Sequence, residues 1–384
     1  MKIAFLSNTD YSLYLFRLPI MLSLLKKGHI VYAICPKGDK NQALKDNGFI
    51  VINYEMSRKS LNPFKELKTI KSIYSAMKGL KLDLVHTFTV KPNIYGTFAA
   101  KAAKIPIILN LVEGLGSFYV SHSMKNIAVR AIIERLYKIV FSLSSGCVFV
   151  NNDDPKYLID KKIIPQNKAV IIKSVGVDTT LFSMENFTKE QIKQIKKANN
   201  LEDRIIVLMA ARAIWDKGVR EFYEACEIIK AKYPHVEFVF AGDTDEGNHT
   251  CANRDFLNGG CVKWLGRRDD MAELTAISDI YVLPSYREGI PRTLLEAASM
   301  SKPIVTTDTV GCRDVVDNGI NGFLVPIKDS KELACKIEIL INDEKLRSKM
   351  GIEGRKKALR EFELTKVIKK YLELYEKMFL KDKK

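Results

Sequence analysis

The sequence predicts an α/β protein of two Rossmann-like domains, each a doubly wound parallel sheet. Three observations predict it. Short apolar runs of strand length alternate with longer helical patterns from the first residues onward. The alternation restarts near Arg204, after a charged stretch. A chain of 384 residues is also long enough for two domains with real cores. The boundary is expected near residue 175, giving domains over residues 1–174 and 175–384.

In the first domain Lys2–Ser7 reads as a strand, followed by an apolar-rich helix over Tyr11–Lys27 with Arg17 and Pro19 near its start and Gly28 closing it. Ile30–Cys35 is the next strand, so the chain opens as a βαβ unit. Such sheets bind ligands at the carboxyl ends of their strands, which singles out the loop Ser7–Asp10 and its Asn8. No G-x-G-x-x-G follows the strand, which argues against a dinucleotide cofactor. Ile50–Tyr54 is a strand, and Arg58, Lys59 and Ser60 in the loop after it suit an acceptor phosphate, or else Asn62-Pro63 simply opens the next helix. Leu82–His86 is a strand ending in what reads as a packed histidine. Ile105–Val112 leads into Glu113-Gly-Leu-Gly, where the glycines allow close backbone approach. Glu113 can take a proton from an attacking hydroxyl, or anchor the loop by hydrogen bonds. Met124–Leu143 is a long helix with Ile127, Ile132, Leu136 and Val140 apolar and Lys125, Arg130, Arg135 and Lys138 basic. That pattern fits a helix on an anionic membrane or one packed on a core, and Phe118-Tyr119, expected to be exposed, favours the membrane. Gly146–Val150 is a strand, and Val170–Asp178 reads as the linker.

In the second domain Arg204–Ala211 is the first strand and Val219–Lys232 its helix, with Arg212 and Lys217-Gly218 between them. A planar guanidinium fork and a point charge suit a diphosphate. His235–Ala241 and Val262–Gly266 are further strands. Ile280–Leu283 is a buried strand bounded by Pro284, Gly289 allows a tight turn, and Pro291 suits a helix start. The helix continues over Thr293–Met300, the next strand begins at Pro303, and further helices run from Lys331 to the C-terminus. Unpaired N–H groups after Gly289 make an anion site, and the acceptor oxygens of Glu288 and Glu296 suit sugar hydroxyls. An ordinary βαβ turn with solvent-facing glutamates is the plainer alternative.

The charge is uneven. Residues 1–172 hold 25 Lys and Arg against 11 Asp and Glu, a surplus of 14 out of the chain's 16. A basic first half suits an anionic membrane surface or a diphosphate-bearing lipid, and nucleic acid is the competing partner. Seven scattered cysteines without a C-x-x-C argue for reduced thiols. The N-terminus runs straight into a strand with no signal-peptide pattern, and no apolar run approaches the roughly 20 residues of a bilayer span. A cytoplasmic, soluble or peripheral protein is expected.

Glu288 and Glu296, with seven residues between them that include Gly289 and Pro291, resemble the E-x7-E signature of the retaining glycosyltransferases of family 4. The turn Gly311-Cys312-Arg313, the segment 318–326 and the R-x4-K-G spacing of Arg212, Lys217 and Gly218 match the same family. The chain departs from the pattern in its first loop, which lacks the usual glycines, at Val175, where Asn is usual, and at Glu113, where Thr often precedes the Gly-Leu-Gly. The resemblance implies the GT-B fold, two Rossmann-like domains facing across a cleft, with the last helix crossing back to the first domain. It implies that Arg212 and Lys217 hold a nucleotide diphosphate, Glu288 lies against the donor sugar and Glu296 binds the ribose. Gly289, Ile290, Pro291 and Arg292 would then contact the donor, and Asn8, Arg17, Arg58 and Ser60 the acceptor. Asp243-Thr-Asp245 resembles a metal-binding triplet of the other large glycosyltransferase architecture, so no metal is expected here.

Three stretches, 57–64, 111–119 and 211–224, carry a narrower likeness to bacterial transferases of protein N-glycosylation. It implies UDP-N-acetylgalactosamine (UDP-GalNAc) as donor and undecaprenyl-diphosphate-linked diacetylbacillosamine as acceptor. It also implies a retained α-1,3 linkage, no required cofactor, and a peripheral place on the cytoplasmic face of the inner membrane. A family 4 enzyme moving another sugar onto a polyprenyl-diphosphate glycan is the alternative.

Overall fold

The chain folds into two units, Met1–Val175 together with Val367–Lys384, and Gly176–Lys366. A computed structural model describes residues 1–57, 62–120, 123–173, 176–248 and 250–382. The first unit carries strands β1 (Lys2–Leu6), β2 (Ile30–Cys35), β3 (Ile50–Asn53), β4 (Leu84–Phe88), β5 (Ile107–Val112), β6 (Gly146–Phe149) and β7 (Ala169–Ile171). They form a parallel sheet in the order β3-β2-β1-β4-β5-β6-β7. Every residue of β4, β5 and β6 is buried, because helices cover both faces of a parallel sheet and its central strands need apolar side chains on each. The strand order reverses between β1 and β4, so the carboxyl ends of these two strands open a crevice.

The second unit repeats the scheme with β8 (Ile205–Ala210), β9 (Val236–Ala241), β10 (Lys263–Trp264), β11 (Ile280–Leu283), β12 (Ile304–Thr307) and β13 (Gly322–Val325). The order is β10-β9-β8-β11-β12-β13, again parallel throughout, with its reversal between β8 and β11. The loops that follow β8 and β11 hold the R-x4-K-G and E-x7-E residues. Both signatures therefore sit at one switch point.

The structure corrects the sequence reading in several places. The helix expected over Tyr11–Lys27 is two, Asp10–Phe16 and Leu18–Lys26, broken at Arg17. Pro19 brings no N–H, and its ring excludes the carbonyl of Leu15, so one continuous helix cannot pass through it. Val170 and Ile171, read as the start of the linker, belong with Ala169 to the edge strand β7 of the first sheet. Gly322–Val325 is a strand whose pattern the glycines of its segment concealed. Cys226 and Cys261 form a disulfide with Cα atoms 6.3 Å apart, against the expectation of reduced thiols. The helix Val219–Lys230 lies beside the approach to β10, which joins two cysteines 35 residues apart that sequence spacing could not pair.

Candidate active site

In the second unit β8 ends at Ala210, and the chain then passes through Arg212 to the short turn Trp215–Lys217. Gly218 follows with φ +76° and caps the helix Val219–Lys230. A β-carbon on Gly218 would lie 2.1 Å from the carbonyl oxygen of Pro284, so only glycine lets this turn pack on the segment after β11. That segment, residues 284–291, is pinned by backbone and hydroxyl groups. Tyr286 N and Ser285 Oγ donate to the carbonyl of Asp216 at 2.9 and 3.1 Å. Thr307 Oγ1 donates to the Ser285 carbonyl, Thr309 Oγ1 to that of Tyr286 at 2.9 Å, and Glu288 N to that of Val310 at 3.1 Å. Gly311, with φ +80°, brings its backbone against Gly289, where a β-carbon would meet the carbonyl oxygen at 2.2 Å.

This scaffold brings Lys217 and Glu288 together, Nζ to Oε1 at 2.5 Å, with side chains 20% and 10% exposed. The R-x4-K-G lysine and the first E-x7-E carboxylate thus form one ion pair. Arg212 instead turns to Asp245 at 2.7 Å, in a pair largely open to solvent. Its triplet neighbour Asp243 faces Arg254 at 3.4 Å. The two carboxylates therefore face different guanidinium groups, and Asp245 of the triplet, at which no metal was expected, is a partner of Arg212.

Pro291 caps the helix Arg292–Ser299, and its carbonyl accepts from Leu294 N at 3.1 Å. Glu296 is buried within it and accepts from Arg292 Nε at 2.8 Å. Burial nevertheless pushes the Glu296 carboxyl up to about 7, against the pull of Arg292. Arg292 was expected on the donor, and its side chain instead faces Glu296. Ile290 packs on the core of this unit. Residues the motifs did not reveal are Ser285, Thr307, Thr309 and Tyr286, whose hydroxyl donates to Glu221 at 2.6 Å. The hydroxyl-rich run Thr306–Thr309 at the end of β12 was the available signal.

In the first unit Glu113 stands at the carboxyl end of β5, its side chain 33% exposed. Arg17 donates to its Oε1. Arg17 was expected among acceptor contacts, but at 2% exposure it is a buried partner of Glu113. Asn8 follows β1 and accepts from Ser7 Oγ at 3.4 Å. Lys91 Nζ donates to the Ser57 carbonyl at 2.8 Å and to Glu66 at 2.9 Å. Arg58 and Ser60, beyond Ser57, lie outside the described residues. His86 is packed, as read, at 1% exposure, and its ring Nδ1 meets the Tyr375 hydroxyl at 2.8 Å. Phe118 and Tyr119, expected to be exposed, pack on an apolar cluster under the helix Met124–Leu143. Arg130 holds them there, donating to the Phe118 carbonyl at 2.9 Å and lying 5.0 Å from the Tyr119 ring centre.

Residues 190–357 match the family model for glycosyl transferases group 1, and residues 2–152 match that for glycosyl transferase 4-like domains. The chain is 40% identical over 378 residues to the N,N'-diacetylbacillosaminyl-diphospho-undecaprenol alpha-1,3-N-acetylgalactosaminyltransferase of Campylobacter jejuni, covering 98% of this chain and 99% of the relative. It is 27% identical to the UDP-Gal:alpha-D-GlcNAc-diphosphoundecaprenol alpha-1,3-galactosyltransferase of Escherichia coli, over 83% of this chain and 81% of that one. Among solved structures, Anabaena HepE in complex with UDP and glucose shares the fold at a TM-score of 0.77 and 18% identity, covering 98% of this chain and 99% of the other.

Proposed function

The chain belongs to the group 1 glycosyltransferases, and on that premise we propose that it transfers N-acetylgalactosamine from UDP-GalNAc to undecaprenyl-diphosphate-linked diacetylbacillosamine. The bond formed is α-1,3, made with retention and without a metal, at an early step of bacterial protein N-glycosylation. The full-length likeness to the Campylobacter enzyme supports this donor and acceptor. The observation that carries the chemistry is the Lys217–Glu288 pair at the second sheet's switch point, where a cation and a hydroxyl acceptor serve the two halves of a nucleotide sugar.

Breaking the bond from the sugar's anomeric carbon to the phosphate oxygen leaves charge on UDP. Arg212, Lys217 and the N–H groups at the start of the helix Arg292–Ser299 stabilise that charge, with Gly289, Ile290 and Pro291 shaping the turn. Both cations exchange a carboxylate for the diphosphate when the donor binds. Glu288, released from Lys217, accepts from the sugar hydroxyls, and Glu296 accepts from the ribose. In the first unit Glu113 accepts from the acceptor hydroxyl and orients it, with Asn8, Arg58 and Ser60 toward the acceptor diphosphate. The hydroxyl attacks on the face UDP leaves, and its proton passes to the departing diphosphate oxygen.

UDP release from UDP-GalNAc, UDP-N-acetylglucosamine and UDP-galactose, with and without the undecaprenyl acceptor and with EDTA present, tests the reading. Acceptor-dependent turnover of UDP-GalNAc in EDTA is expected. Arg212→Ala should lower it roughly 10²–10³-fold, the scale for one oxyanion donor. An Arg212→Ala variant within a few-fold of the parent overturns that role. The Escherichia relative, named for a UDP-Gal donor, favours a second reading in which another sugar is moved onto a polyprenyl diphosphate for surface polysaccharide. Turnover with UDP-galactose alone would select it.

A further inference from the structure

The space behind Glu113 holds more buried polarity than packing needs. Arg17, at the break between two helices, lays its guanidinium 4.5 Å from the centre of the Phe88 ring while donating to Glu113. Phe88 stacks in turn on Phe5 and lies 4.4 Å from the His86 ring. His86 contacts two tyrosines of the last helix, Tyr371 at 6.1 Å and Tyr375 at 5.8 Å between ring centres. All four of Arg17, His86, Tyr371 and Tyr375 are at most 4% exposed. Three buried polar atoms here, Arg17 Nε, His86 Nε2 and Tyr371 Oη, have no hydrogen-bond partner among the described residues.

Burying a guanidinium is costly, and apolar residues of the same volume commonly replace a buried ion pair at no loss of stability. The pair is therefore better explained by what it does at its open end. There the Glu113 carboxylate reaches solvent with Oε1 held by Arg17, while Oε2 accepts from no described residue. Burial and the nearby Arg17 charge keep His86 neutral, so it adds no second cation to the cluster. Burial pushes the Tyr371 hydroxyl pKa up, with Arg17 drawing it down and Glu113 adding to the rise.

We infer that Arg17 is a positioning residue for Glu113, and that the Phe88 ring sets the plane of its guanidinium. This rests on the reading of Glu113 as the contact for the acceptor hydroxyl. A guanidinium held at one angle over Phe88 fixes one carboxylate oxygen and leaves the other to the acceptor. Lysine keeps the charge but not the planar fork.

The test is a double-mutant cycle on acceptor-dependent UDP release, with UDP affinity measured beside it. Arg17→Lys should lower kcat roughly 10²-fold, the scale for a misplaced reacting group, with UDP affinity unchanged. Glu113→Gln should show a loss of similar size. In the Glu113→Gln background, Arg17→Lys should then cost no more than about 2-fold further, because the two act as one unit. Should Arg17→Lys not fold, Phe88→Leu, which removes the ring beneath the guanidinium, runs the same cycle. Turnover lost in the parent background but not in the Glu113→Gln background, at unchanged UDP affinity, marks positioning rather than packing. Losses that multiply across the cycle overturn the inference and leave Glu113 its role. A Glu113→Gln variant as active as the parent overturns that role, and the inference with it.

Discussion

Glu296 shows how a single buried residue can set stability and, in the function proposed, ligand chemistry in the second unit. Buried on its helix, it keeps its proton up to about 7 against an ordinary 4.5, even though Arg292 pulls the other way. Between those values the folded protein binds a proton that the unfolded chain has released. Stability from this group is therefore full below 4.5 and is lost as pH rises through about 7, by an amount of about 3 kcal/mol. Glu296→Gln removes the titration, so the difference in unfolding free energy between parent and variant should change across this window and flatten above it. Denaturant titrations at a series of pH values measure this directly, and parallel curves throughout would show that burial does not control the group. In the function proposed here the ionised carboxylate accepts from the ribose, so UDP binding should tighten more steeply in the parent than in the variant as pH rises through the same range, the shared part coming from UDP's own terminal phosphate.

At the scale of elements, the turn after β11 is held by the segments that flank it, through its own backbone and the Ser285 hydroxyl. Gly218 and Gly311 let flanking backbone approach Pro284 and Gly289 within distances that no β-carbon allows. Gly311→Ala adds a side chain at φ +80° and drives it at a carbonyl oxygen. The expected result is a loss of about 2 kcal/mol or more in stability and UDP binding weakened at least about 10-fold, read by thermal unfolding and calorimetry. Full UDP affinity in this variant would mean that the turn does not hold the donor. The turn's sequence was legible because strand, glycine, proline and helix follow one another within a few residues, and Ile280–Leu283 fell where its apolar run placed it. Most strands of both sheets were legible from their apolar runs, but β7 and β13 were not. What could not be read were pairings across long separations. Arg17 with Glu113, Arg212 with Asp245, and Cys226 with Cys261 depend on which strand ends lie side by side, and no local pattern encodes that. The break at Arg17 was missed although Pro19 announced it, since the apolar pattern runs on through both helices.

Across the whole molecule the charge is distributed to match the proposed acceptor. Residues 1–172 carry a surplus of 14 positive charges, and within them the helix Met124–Leu143 exposes Met124, Ile127, Ile132 and Ile139 beside exposed Arg135 and Lys138. Its other face is buried, with Ile133, Tyr137 and Val140 in the core, so the exposed residues are left over after packing is satisfied. Among the described residues no helix is long and apolar enough to cross a membrane. Binding to a membrane through this face must therefore combine shallow apolar contact with attraction to anionic lipid, and such attraction is screened by salt. At about 1 kcal/mol for each basic residue near the surface, Arg135→Glu with Lys138→Glu should weaken binding to anionic vesicles by about 10-fold or more and leave UDP affinity unchanged. Raising ionic strength should weaken the parent's binding in the same assay, and neutral vesicles should bind it poorly. Nucleic acid would also bind in a salt-sensitive way, through phosphates alone. The apolar residues separate the two partners, because Ile132→Ser should reduce vesicle binding while leaving any binding to RNA intact. Vesicle binding indifferent to salt and to both sets of substitutions would rule out this helix as the membrane contact.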